Sequence, residues 1–354
     1  MAAPLDAIES ITAAWNRSVE LLFKPFRWAF WWRMAFLAFM TGEVSGSGNF
    51  NVPSNWNAGK NSGNGLLAGP PLPWESLGVG VIVAIAVAAF AFLVIFMYLG
   101  CVFRFVLFDS VLTGRYRLRE GFGRWQGHGT RFFWWSLGYT LVMILAIGAC
   151  VGIIVLGVTG AKQGNPVSIM LIALAVMVIL AFVIVGITIF VLTKDFVIPI
   201  MAFEGTGATQ AWGTLWRMMK ANPVPYLAYI GMKIVLSMGA GIAAGVASLV
   251  IVVLMLIVGV IVGLLVVALH LTWNPATIAL AVVAGLVAML VLFFIMGMIA
   301  APFATFFQAY AIYFFGRRFR PMEMVMYPEP PAPPPAPAAP EAPPMQPGPE
   351  PAPA

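Results

Sequence analysis

The chain has 354 residues, of which 61% are apolar and only 9% charged; an ordinary soluble domain has roughly 45–50% and about 25%. That balance excludes a soluble globular enzyme and points to a polytopic α-helical membrane protein, since an open sheet edge cannot be satisfied in lipid. The net charge is +6, and its placement along the chain says more than its sum.

Residues Leu5 to Phe23 read as an amphipathic helix, with Leu5, Ile8, Ile11, Trp15, Val19 and Leu22 on one face. Asp6 and Glu9 come early and no continuous apolar run follows, unlike a signal peptide. Pro25 should end the helix, so residues 1–25 form an N-terminal unit. Phe26 to Thr41 is aromatic and carries Arg33. At about 1.5 Å per residue it falls short of a bilayer core of roughly 30 Å. It is a first span or a re-entrant hairpin. Gly42 to Trp74, rich in Gly, Asn, Ser and Pro, reads as an irregular loop.

The second span runs from about Leu77 to Leu107 and is followed by a basic turn, Arg104 to Arg131, that holds six arginines. The third span is about Phe132 to Thr159. A tight loop follows, and the fourth span is about Val167 to Ile198. Pro199 then opens a second amphipathic turn that reaches Asn222. Pro223 to His270 is longer than one span needs, and reads as one long helix or two short spans. The last span, about Ala276 to Phe315, ends in Arg317, Arg318 and Arg320. One crossing by Pro223 to His270 puts those arginines on the same side as the basic turn, as the positive-inside rule favours. The result is a transmembrane domain over residues 26–320 with about six spans and both termini cytoplasmic. Of the lysines and arginines, only Lys60 and Lys162 are expected on the outer side. Residues 321–354 form a Pro/Ala-rich tail; from Pro328 onward it is almost wholly Pro, Ala and Glu, which predicts disorder.

The two turns match. Setting Phe105-Val106 against Phe196-Val197 also aligns Gly114 with Gly205 and Trp125 with Trp216, without a gap. This predicts an internal duplication, span, short helix, span, with copies over about residues 77–160 and 167–270. The short helices, Arg117 to Trp125 and Ala208 to Met219, should lie at the membrane surface. The apolar face of the second is Ala208, Trp212, Leu215 and Met219.

Chemistry-bearing motifs are sparse. The two histidines, His128 and His270, lie in distant loops, so no metal site or cofactor is expected. Cys101 and Cys150 sit in apolar runs, which argues against a disulfide framework. No nucleophile elbow or Walker loop is present, and nothing suggests nucleic acid. Gly148/Gly152, Gly241/Gly245 and Gly259/Gly263 are small-xxx-small pairs suited to close helix packing, within the bundle or in a homo-oligomer. Arg104, Asp109, Lys194 and Asp195 sit at the cytoplasmic ends of the second and fourth spans. They are candidate ion pairs, Arg104 with Asp109 or Asp195, or a polar site. Arg115, Arg117, Arg119 and Arg124 are candidate contacts for anionic lipid. The spans hold almost no carboxylates, which disfavours a proton- or sodium-coupled transporter.

The run Asp195-Phe-Val-Ile-Pro-Ile-Met, the pairs Ala211-Trp212 and Leu215-Trp216, and Asn222 before a new span resemble the bacterial membrane domain fused to some glycerophosphoryl diester phosphodiesterases, and related families of unknown function. The likeness covers about Phe92 to Phe315. It implies a bacterial inner-membrane location and no phosphodiesterase activity, because that domain is not attached. The expectation is a non-catalytic scaffold or accessory protein acting on lipids or on membrane-protein partners. The alternative is a transporter or lipid-translocating protein with a groove between the two repeats.

Overall fold

The computed structural model describes residues 6–24, 26, 28–42, 79–114, 118–162, 166–268 and 275–327. Among the described residues there are helices and turns and no strand. In chain order they are α1 (Glu9–Leu22), α2 (Trp28–Met40), α3 (Val79–Thr113), α4 (Leu118–Lys162) and α5 (Pro166–Leu192). A π-turn (Thr193–Val197) leads into α6 (Ile198–Glu204). Then come α7 (Ala208–Ala221), α8 (Pro223–Ala268), α9 (Pro275–Gly316) and α10 (Arg320–Met326). Five stretches are long and apolar enough to cross a membrane: Ala86–Thr113, Leu118–Gly160, Val167–Glu204, Pro223–Val266 and Val283–Gly316.

Pro223 onward is one helix of 46 residues, about 69 Å at 1.5 Å per residue, so the single-crossing reading fits. α2, at 13 residues, is too short to be counted among the five. It runs antiparallel to α3, Phe36 meeting Phe103 and Phe39 meeting Phe96. Gly297 lets α9 approach α2: a Cβ there would lie 3.1 Å from the Ala35 carbonyl oxygen. α2 thus enters from the basic end and stops about halfway along α3.

Burial divides the bundle across its length. At the basic end Phe105, Phe108, Phe196, Tyr229, Tyr310 and Phe314 form one closed aromatic core. Away from it, α3, α4, α5, α8 and α9 carry Val, Leu, Ile and Phe side chains that are largely exposed. Apolar side chains left uncovered at this density belong in hydrocarbon. α1 and α10 both lie at the basic end, where Arg17, Val111, Tyr313, Met326 and Tyr327 line one cavity. Both ends of the described chain therefore meet there.

Several expectations change. α1 buries Ser10, Ala14, Ser18 and Leu22, while Ile8 and Trp15 are exposed. Small side chains let its backbone approach α9 closely, so Ile8 and Trp15 point outward while Ile11 and Leu22 of the expected face still pack on the core. Arg117 to Trp125 is no separate helix: α4 begins at Leu118 and runs unbroken into the span. In the second half Pro223 and Pro225 separate α7 from α8, because proline has no N–H to continue the ladder; Phe132 holds the position that aligns with Pro223. The two halves accordingly differ in element order. What they share is a buried Phe-Val pair and a glycine at φ +67°, Gly114 and Gly205. Trp125 is buried and its counterpart Trp216 is exposed.

Pro199 does not open a turn either. It sits inside α6, beyond a π-turn in which Ile198 N–H reaches the Thr193 carbonyl. The wider turn accommodates a proline ring that would otherwise collide with the Asp195 carbonyl. Of the glycine pairs, Gly148, Gly152, Gly245, Gly259 and Gly263 face open space, while close approach falls at Gly100, Gly129, Gly157 and Gly186. Residues 321–326, expected in the tail, belong to α10, and Met322 is buried. The loop from residue 43, Arg115 and Arg117 of the basic turn, and the tail from 328 lie outside the described residues.

Candidate polar site and lateral groove

The π-turn places Asp195 in the aromatic core, where it is 1% exposed. Its Oδ2 accepts a hydrogen bond from the Tyr229 hydroxyl at 2.9 Å and forms a salt bridge with Lys233. Tyr229 and Lys233 stand one turn apart on α8, hence on one face. The Lys233 ammonium lies 5.8 Å from the Tyr229 ring and 5.9 Å from the Phe307 ring. Tyr229 stacks on Tyr310 with centroids 4.9 Å apart. Asp195 Oδ1 and the Tyr310 hydroxyl are buried without a hydrogen-bond partner among the described residues. On the next face Trp212 Nε1 donates to Thr193 Oγ1 at 3.1 Å, fixing α7 against the π-turn.

Arg104 takes neither expected partner. Its Nη2 donates to the Thr41 carbonyl at 3.1 Å, and its guanidinium lies 4.9 Å from the Phe190 ring centroid. Arg104 and Asp109 are five residues apart on α3, which turns them to different helix faces; Asp109 instead borders a cavity with Glu120 and Arg124. The alignment of Arg104 with Asp195 corresponds to no contact between them.

A pattern absent from the sequence reading appears in these bonds. Arg17 donates to the Val111 and Leu112 carbonyls at the end of α3, at 3.3 and 3.2 Å. Arg104 does the same at the end of α2, and Arg131 donates to the Gly205 carbonyl just beyond α6 at 2.7 Å. Arg318 bonds the Phe314 carbonyl at the end of α9 and lies 3.9 Å from the Phe314 ring centroid. Half-buried, it has its pKa lowered by burial. Four helix ends with orphan carbonyls and negative dipole ends thus each receive a guanidinium. The available signal was an arginine near each predicted helix end; the pairing between distant segments was not available.

Arg119 and Arg124, the candidate lipid contacts within the described residues, are exposed, and Arg124 lies 5.0 Å from the Trp125 ring centroid. Lys194 lines a groove of about 310 Å³ between α5, α8 and α9. Ala304 and Phe307 make its buried floor, and Ile187, Phe190 and Ile234 its exposed rim. Lys194 and Lys233 stand at the end nearer the basic turn, with Thr188, Ser237 and Phe303 on its walls. This groove lies within the second half and α9, not between the two halves. α8 runs antiparallel to α9 and to α5 where the groove forms, Tyr229 meeting Phe314 and Lys233 meeting Phe307 and Asp195.

No curated protein matches the chain, and no solved structure does. A family profile that describes no activity, and no link to phosphodiesterase fusions, matches residues 5–325. With nearly its whole length covered by that profile, the chain belongs to a family of unknown function (DUF7544).

Proposed function

We propose that the protein is a non-catalytic, multi-pass accessory protein of the plasma membrane that gathers anionic lipid at its cytoplasmic boundary. One observation carries this reading. Coming from the exposed apolar stretch, the first charge on α3 is Arg104, on α4 beyond its far end Arg131, on α5 and its extension Lys194, and on α8 Lys233. All four are cations, at the level where headgroup phosphates lie. Each juxtamembrane cation attracts anionic lipid by roughly 1 kcal/mol, and Arg119 and Arg124 add to the field. Six crossings and cytoplasmic termini complete the reading, with α2 beginning the first crossing; the meeting of α1 and α10 at the basic end supports it. In this account the turn glycines at Gly114 and Gly205 are relics of a duplication.

The test is purification in native lipid, with the co-purifying lipids weighed against the bulk membrane. Enrichment of anionic species is expected, and it should fall when Arg115, Arg117, Arg119 and Arg124 are all replaced by Gln. A lipid composition equal to the bulk membrane would end this reading. Lipid translocation is the second reading, favoured by the lateral groove. It would be supported if the purified protein moved labelled phospholipid between leaflets of a vesicle.

A further inference from the structure

The chain between α1 and α2 makes a stiff aromatic elbow. Trp31 Nε1 donates to the Leu22 carbonyl at 2.9 Å. The rings of Phe23 and Phe26 pack on the Trp31 ring, with centroids 5.7 and 6.1 Å away. Around this inner tryptophan the outer rings are uncovered: Trp15, Phe23, Phe26 and Trp28 are each half or more exposed, and Trp32 is 38% exposed. A contiguous apolar patch of this kind marks a contact surface. Its level along the bundle says what it touches. A bilayer with its headgroups is about 40–45 Å thick, or about 27–30 residues of helix. Measured from Val79 on α3, Lys162 on α4 and Pro166 on α5, that length ends within about a turn of Arg104, Arg131 and Lys194. On α8, measured from Ala268, it stops about two turns short of Lys233. On α9, measured from Pro275, it ends near Ala304.

The elbow stands at that line. Trp15 meets Phe306 of α9 edge-on, with centroids 6.4 Å apart. α2 passes α9 with Ala35 against Gly297 and Phe39 against Phe293, a register that sets Trp28 near the level of Ala304 and Trp32 one turn closer to the hydrocarbon. We infer that the elbow is an interfacial anchor, with Trp15, Phe23, Phe26, Trp28 and Trp32 set in the phospholipid headgroup layer on the basic side. An indole suits this layer, since its ring is apolar and its one N–H can bond a headgroup oxygen. The occupant is the leaflet rather than a protein, because α2 leads from the exposed rings straight down between helices whose apolar faces lie in hydrocarbon. The Trp31 bond to Leu22 makes the outer rings one rigid surface, so the anchor fixes the depth at which α2 enters. It takes headgroups of any charge and does not depend on the anionic enrichment proposed above.

Photocrosslinking in the full chain tests the anchor. The photoreactive amino acid p-benzoylphenylalanine, which couples to C–H bonds of whatever touches it, replaces Trp15, Trp28 or Trp32 one at a time. Leu174, 59% exposed on α5, serves as the control in hydrocarbon, and Val325, 54% exposed on α10, as the control beyond the headgroups. Membranes are illuminated, and the purified chain is read by intact mass for a lipid adduct and by gel mobility for a protein adduct. All three elbow positions and Leu174 should gain the mass of one phospholipid, and Val325 should not. The same adducts should form in vesicles of phosphatidylcholine alone, which keeps this result separate from the anionic reading. Lipid yields at the elbow no higher than at Val325 overturn the anchor. Adducts at the elbow mainly to protein in native membranes also overturn it and make the patch a docking site for a partner. Wild-type fluorescence gives a second readout that needs no photoreactive variant. In vesicles of phosphatidylcholine brominated close to the headgroup, Trp28→Phe combined with Trp32→Phe should lower the quenched fraction, and an unchanged fraction counts against the anchor.

Discussion

Phe105, Phe196 and Phe314, at the basic end of the bundle, are fully buried, whereas Phe90 and Phe92, further back along α3, are 69% and 70% exposed. The residue type is the same; the solvent differs. α4, α8 and α9 have 45, 46 and 42 residues, or about 63–69 Å each, roughly twice a hydrocarbon core of about 30 Å. One half of each helix can lie in lipid and leave its apolar side chains uncovered. The other half contributes to the closed aromatic core, although α8 keeps Val224 and Leu227 exposed there, at 72% and 67%. The helix-end arginines, the Asp195–Lys233 pair and α1, α7 and α10 all belong to that second half.

The largest expected effect strikes the packed half. Asp195→Asn leaves Lys233 without its carboxylate at a buried position, which typically costs about 3–5 kcal/mol. Adding Lys233→Met should recover much of that loss, since replacing both partners by apolar or neutral groups is far cheaper. Thermal melting in detergent reads both variants. A wild-type melting temperature for Asp195→Asn would remove the pair from the structural account.

A matched pair of substitutions sharpens the contrast. Leu174 on α5 and Val325 on α10 are comparably exposed, 59% and 54%. Leu174→Arg should disfavour membrane integration by about 2.5–3.5 kcal/mol, whereas Val325→Arg should stay within about 0.5 kcal/mol. An integration assay measures the first and a melting curve the second. Equal costs would mean that the two halves do not face different solvents.

Smaller effects probe the turns. Gly205→Ala forces a Cβ into a left-handed conformation at φ +67°, at a cost of roughly 1–2 kcal/mol. Gly114→Ala should cost at least as much, because Arg17 Nη2 would stand 3.2 Å from the new Cβ. A melting temperature unchanged in both would contradict the turn geometry. Smallest is Trp212→Phe, which deletes the bond to Thr193 at about 1 kcal/mol; no loss of stability would mean that α7 is held by packing alone.

The helical membrane architecture was legible because it rests on composition and run length, which single-residue chemistry does not perturb. The turn glycines were legible too, since Gly114 and Gly205 recur at one spacing from buried Phe-Val pairs. The partner of Asp195 was not. Lys233 lies 38 residues away, and only the antiparallel return of α8 brings it close. The face of α1 was misread in part because apolar periodicity identifies the larger side chains: Leu22 does face the core, but Ala14 and Ser18, rather than Ile8 and Trp15, share it. The merging of the first short helix into α4 followed from a missing proline, a signal present in the alignment of Phe132 with Pro223.

The central claim is that the packed, basic half lies on the cytoplasmic side with both described ends of the chain. Paired reporters test it most directly, one active only in the cytoplasm and one active only outside, fused after Tyr327 and inserted at Gly63. The account predicts activity of the cytoplasmic reporter at Tyr327 and of the external reporter at Gly63. External activity after Tyr327, or cytoplasmic activity at Gly63, would contradict it.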